Sequence, residues 1–135
     1  MLPRPRRLHR ERDILRVLRT GPRKQGRLVQ LVVTPSAHVV SRATVVVAKS
    51  VHKRAVVRNQ VRRRLQALLP TFLPRTPEAI DVLVRALPAS ATATSATFRT
   101  ELTALWPTHA PRLSPRASQP HRRHPRVPAR PLARP

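Results

Sequence analysis

The chain has 135 residues, enough for one ordinary domain. Its formal net charge is +23, from 28 Lys and Arg against five acids, so the compact state repels itself unless a polyanion is near. Nucleic acid is the first candidate partner, ahead of an anionic membrane surface. The absence of cysteine excludes a disulfide framework and thiolate chemistry, and no apolar run approaches the roughly 18 residues of a membrane helix.

The first residues, MLPRPRRLHRERD, lack the apolar stretch of a secretory signal, so a cytoplasmic protein is expected, with structure from Leu8 onward. Over residues 9–20, Ile14, Leu15, Val17 and Leu18 recur at helical spacing, and Leu8 extends their face. Glu11 and Asp13 occupy the first turn, where the helix dipole favours acids, and Gly21 and Pro22 supply the stop. Residues 27–34 and 42–48 are β-branched and read as two strands, expected to pair antiparallel. Residues 54–69 read as a second helix, with Val57, Val61, Leu65 and Leu68 as the stripe that packs on the sheet; Pro70 should end it. Residues 80–86 form a third strand. Residues 94–106 form a third helix, with Phe98, Leu102, Leu105 and Trp106 on one face. The order α-β-β-α-β-α predicts an α+β fold, a small mixed sheet packed by helices.

Residues 107–135 hold eight prolines and seven arginines and no acid. Such a stretch buries too little apolar surface to offset its ordering entropy, so a disordered basic tail is expected there, after a domain over 1–106. The domain keeps 21 basic residues and all five acids, +16 by itself. There are 25 arginines and three lysines. A GC-rich coding bias accounts for that ratio but not for the net charge, although the planar Arg fork also suits phosphate.

No constellation for protein-borne catalysis emerges. Glu11, Asp13, Glu78, Asp81 and Glu101 do not pair at the spacing of a two-metal nuclease, and Asp81 reads as a turn or cap residue. The His-Arg-Arg-His run at 121–124 falls short of a metal-ligand set. Phe98 and Trp106 read as core, and Phe72, between prolines, as a loop plug.

The informative stretch is KRAVVRNQVRRRL at 53–65, in which six of thirteen residues are basic and none is acidic. Lys49 ends the second strand. Lys53, Arg54, Arg58, Arg62, Arg63 and Arg64 follow at and inside the start of a helix, whose free N–H groups make the same end an anion site. Asn59 can donate and accept at once. A solvated helix face usually alternates its signs; this one does not, which points to a phosphate backbone.

The segment VVVAKSVHKRAVVRNQVRRRLQALL resembles the signature region of the protein component of bacterial ribonuclease P, the enzyme that removes the 5′ leader of precursor tRNA. RLHRERDILRVLRTG resembles that family's first helix, IDVLVRA its last strand and TFRTELTALW its last helix, so the likeness spans residues 1–106. It implies a left-handed βαβ crossover and a protein that binds ribonuclease P RNA, one to one, and the single-stranded 5′ leader. Cleavage would belong to the RNA and its Mg2+, with no metal, cofactor or catalytic residue on the protein. Residue by residue it implies RNA contact by Lys49, Lys53, Arg54, Arg58, Asn59, Arg62 and Arg63. The chain departs from the family pattern at Gln60, usually Arg, for which Arg64 can compensate. It departs again at Ile14 and near Lys24, where aromatics commonly line the leader cleft, and at Leu87, usually basic, whose strand face Arg85 shares. The competing readings are a general basic RNA-binding protein of ribosomal type, without a role in cleavage, and a nucleoid-type DNA-binder.

Overall fold

A computed structural model describes residues 2–111. A 3-10 turn at Arg4–Arg6 precedes α1 (Glu11–Thr20), β1 (Arg23–Gln25), β2 (Val29–Pro35), β3 (Arg42–Val46), α2 (Ala55–Phe72), β4 (Ile80–Ala86) and α3 (Ser95–Leu105). The α+β class agrees with the sequence, with one strand more. The three residues of β1 are polar and exposed, so no apolar alternation announces them. The strand is held by pairing to β2 and by Glu101 on α3. That carboxylate accepts the N–H groups of Arg27, Leu28 and Val29 at 3.0, 2.7 and 2.7 Å, fixing the turn between β1 and β2. Gly26 leaves the space: a Cβ there would lie 2.6 Å from the Glu101 carboxyl group.

The sheet order is β1-β2-β4-β3, with β2 antiparallel to β1 and β4, and β3 parallel to β4. The expected antiparallel pairing of the second and third strands, β2 with β3, is therefore wrong, because β4 lies between them. The reason is burial. Every residue of β4 except Arg85 is buried, on both faces, and such a strand is satisfied only in the middle of a sheet. β3, α2 and β4 together form a parallel βαβ unit.

Strand alternation sorts two faces. Leu31, Val33, Val45, Val82 and Val84 pack with Val61, Leu65 and Leu69 of α2 and Phe98 and Leu102 of α3. On the opposite face Val32 and Leu83 meet Leu8 and Val17, with Ile14, Leu18 and Val46 half-buried beside them, so α1 covers this face. α2 does not stop at Pro70. A proline inside a helix costs about 3 kcal/mol, but Pro70 points to solvent while Leu69, Phe72 and Leu73 are buried, and burial of that last turn offsets the lost hydrogen bond. Phe72 is accordingly core and not a loop plug. Its ring lies 5.4 Å from that of Trp106, and the Arg75 guanidinium stacks over it at 4.4 Å.

Asp81 is neither turn nor cap. It sits inside β4 at 0 % exposure. It accepts from Arg16 Nη2 at 2.8 Å and from Arg42 Nε and Nη2 at 3.1 and 2.9 Å, while Arg42 Nη1 donates to Asp13 at 3.3 Å. This network ties the first half of α1 to the starts of β3 and β4. The hydrogen bond to Asp81 is the main reason that the Arg42 guanidinium holds its proton more tightly than usual. The chain continues past Trp106 along the turn after α2. Thr76 Oγ1 donates to the Pro107 carbonyl at 2.7 Å, and the Ala110 N–H donates to Glu78 at 3.0 Å, which holds the Glu78 carboxyl below its ordinary range. The expected basic tail from residue 112 on, with its His-Arg-Arg-His run, lies outside the described residues.

Candidate nucleic-acid interface

β3 delivers the chain to a loop over residues 47–54 that returns it into α2. Val51 is buried and its N–H closes a turn onto the Ala48 carbonyl at 3.0 Å, so the loop is pinned at its centre. The Arg54 N–H donates to His52 Nδ1 at 3.1 Å. Arg58 Nη1 donates to the carbonyls of His52 and Lys53, both at 2.9 Å, clamping the loop to the first turn of the helix. Arg54 is the N-cap residue of α2, and no side chain caps that end. The N–H groups of the exposed Ala55 and Val56 therefore face solvent, on the side where Lys49, Lys53 and Arg54 are exposed.

The seven residues implied by the motif fall together on the loop and the first half of α2, but not in equivalent states. Lys49, Lys53, Arg54, Asn59 and Arg63 are exposed, whereas Arg58 and Arg62 are half-buried. Arg62 Nη1 donates to Asn59 Oδ1 at 2.6 Å, which orients both side chains. Arg64, one turn beyond Gln60, donates through Nη1 to the Ala93 carbonyl at 2.9 Å and ties α2 to the segment before α3. Val57 is only half-buried, so the packing stripe of α2 begins in earnest at Val61.

The patch owes its field to where the acids are. Asp13 and Asp81 are committed to Arg42 and Arg16, Glu78 to the 107–110 segment and Glu101 to the turn between β1 and β2. Among the described residues none of the seven makes an ion pair. An uncompensated cluster of this kind binds phosphates and releases their counterions. No described group of three metal-ligating side chains exists either.

The other face also departs from expectation. Ile14 and Leu18 of α1 and Val46 of β3 line the contact between α1 and the sheet, and Arg85 emerges from β4 between Gln30 and Val46. Lys24 does not join them. It stands opposite Leu31, whose side chain belongs to the α2–α3 face, so the sheet separates Ile14 from Lys24. A cavity of about 350 Å³ opens at the outer edge of β3, lined among others by Arg7, His9, Ile14, Thr44 and Gln66. The hydropathy pattern gives no hint of it, because it forms where the first ten residues dock on β3. The buried pair Leu2 and Leu8, flanking an acid-free run, was the available signal.

The model of the family described as Ribonuclease P matches residues 2–110. The chain is 40% identical over 93 residues to the ribonuclease P protein component of Kocuria rhizophila, covering 69% of this chain and 81% of that one. It is 40% identical over 103 residues to that of Acidothermus cellulolyticus, covering 75% and 85%. Among solved structures, the RNase P protein of Staphylococcus aureus superposes with a TM-score of 0.67 at 19% identity, over 74% of this chain and 91% of that one. The RNase P protein from Thermotoga maritima gives 0.65 at 21% identity, over 74% and 94%. The basic loop and helix therefore sit on a shared fold, and the chain belongs to the ribonuclease P protein family.

Proposed function

We propose that the chain is the RNA-binding subunit of ribonuclease P, docking one to one on the catalytic RNA through Lys49, Lys53, Arg54, Arg58, Asn59, Arg62 and Arg63. The family makes it a subunit of an endoribonuclease. In this reading cleavage and Mg2+ belong to the RNA, and the protein adds affinity for the RNA and for the 5′ leader of precursor tRNA in the cytoplasm. The observation that carries the reading is the acid-free cluster on the clamped loop and uncapped start of α2. The leader would lie along the border where α1 meets the sheet, against the half-buried Ile14, Leu18 and Val46, with Arg85 for phosphate. That surface is aliphatic, without the aromatic rings on which unpaired bases stack, so grip on the leader rests more on charge.

Reconstitution tests the function. The purified chain is mixed with ribonuclease P RNA of the same organism and a precursor tRNA at low magnesium, and leader release is followed with each component left out in turn. Release should require the RNA and rise with the protein. A chain that binds both RNAs without raising cleavage would instead be a general RNA-binding protein.

A further inference from the structure

We propose that the docked N-terminal arm, residues 2–10, is a second RNA-contact surface that binds backbone phosphates of the same RNA subunit; this deepens the functional reading above and rests on it. The arm is built as a fixed element. Leu2 and Leu8 are buried at its two ends. The Leu8 N–H donates to the Ala43 carbonyl at 2.9 Å, Arg7 forms a single parallel bridge with Ala43, and Arg7 Nε donates to the Leu2 carbonyl at 2.8 Å. Pro3 and Pro5 restrict the backbone between these anchors.

Covering the edge of β3 requires the leucines and the bridge. It does not require Arg4, Arg6 and Arg10. These three make no salt bridge among the described residues, and residues 2–10 contain no acid. Arg4 and Arg10 are exposed, Arg6 half so, and the exposed His9 lies between the anchor Leu8 and Arg10. Guanidinium forks on a backbone already held in place bind phosphate at the cost of ordering their side chains alone, with no further cost for the backbone.

Position points to the same RNA as the motif on α2. Arg7 and His9 line the cavity at the edge of β3 together with Gln66 and Leu69 of α2. From Ala55 to Gln66 the helix advances about 17 Å. The arm and the 47–54 loop therefore occupy the two ends of one flank, formed by β3 and α2, with Arg62 and Arg63 between them. A single RNA strand laid along this flank meets both clusters.

The test is salt-dependent binding of the full chain to ribonuclease P RNA, comparing wild type with two variants, Arg4→Ala/Arg6→Ala/Arg10→Ala and Lys53→Ala/Arg54→Ala. The arm variant should melt with the wild type, while its slope of log affinity against log salt falls by about two to three units, one per lost phosphate contact. Lysines at the same three positions should retain the slope, which also guards against a folding artefact. If the arm variant keeps the wild-type slope while the loop variant loses about two units, the arm only covers the strand edge and the proposal falls. If neither variant changes the slope, docking on this RNA through the α2 motif fails first, and the arm with it.

Discussion

At the scale of single residues, hydrogen bonding divides the motif into groups that face solvent and groups that organise. Arg58 spends one nitrogen on the carbonyls of His52 and Lys53, so it shapes the loop that presents Lys49, Lys53 and Arg54. Arg58→Ala should therefore speed amide exchange over residues 49–53 and weaken RNA binding, with a salt slope that falls by less than the one unit per residue expected for Lys53→Ala or Arg54→Ala. A full unit lost would mean that Arg58 meets phosphate as fully as Lys53 and Arg54 do, with its bonds to the loop carbonyls of no consequence for binding. Asp81 is the corresponding residue of the scaffold. Removing a fully buried carboxylate strands Arg42, so Asp81→Ala should lower the unfolding free energy by about 3–5 kcal/mol, read by urea denaturation. A loss under 1 kcal/mol would show that Arg42 and Asp13 hold α1 without it.

At the scale of elements, α2 runs through a proline because its last turn is wanted for packing, not for its hydrogen bonds. Pro70 faces solvent, and the Gln66 carbonyl has no N–H at position 70 to accept from. Pro70→Ala restores that bond without touching Phe72, so it should raise stability by about 1–3 kcal/mol in thermal unfolding. No gain would mean that the helix bends at this point and cannot relax. α1 is held differently, by an apolar seam of Val17 and Leu8 and by the Asp13, Arg42, Asp81 and Arg16 network at one end. α3 is started by the reciprocal cap of Thr94 and Thr97 and finished by Trp106 against Phe72. Its Glu101 reaches across to hold the turn between β1 and β2, so one helix residue determines where the edge strand ends and its partner begins.

At the scale of the molecule, a chain with five acids has placed four of them in structural contacts with groups other than the seven motif residues, which leaves the motif without a compensating acid among the described residues. Helical period, β-branched runs and Pro/Gly punctuation are local signals, and they made three helices, three of the four strands and the acid-free motif legible. The resemblance carried by that motif named the family. The sheet order was not legible: the two runs now in β2 and β3 look like natural partners, and only the burial of β4 on both faces decides that it enters between them. Burial likewise overrode Pro70 and turned Asp81 from an apparent cap into the centre of an ion network. Lys24 and Ile14 read alike along the chain and stand on opposite sides of the sheet. What the sequence determined alone was composition, charge, element type and the acid-free basic motif, since each is a sum over residues or depends on neighbours within a few turns. Tertiary structure alone decided strand order, which arginines remain free for RNA, and the docking of the first ten residues on β3, because these depend on contacts between residues far apart in the chain.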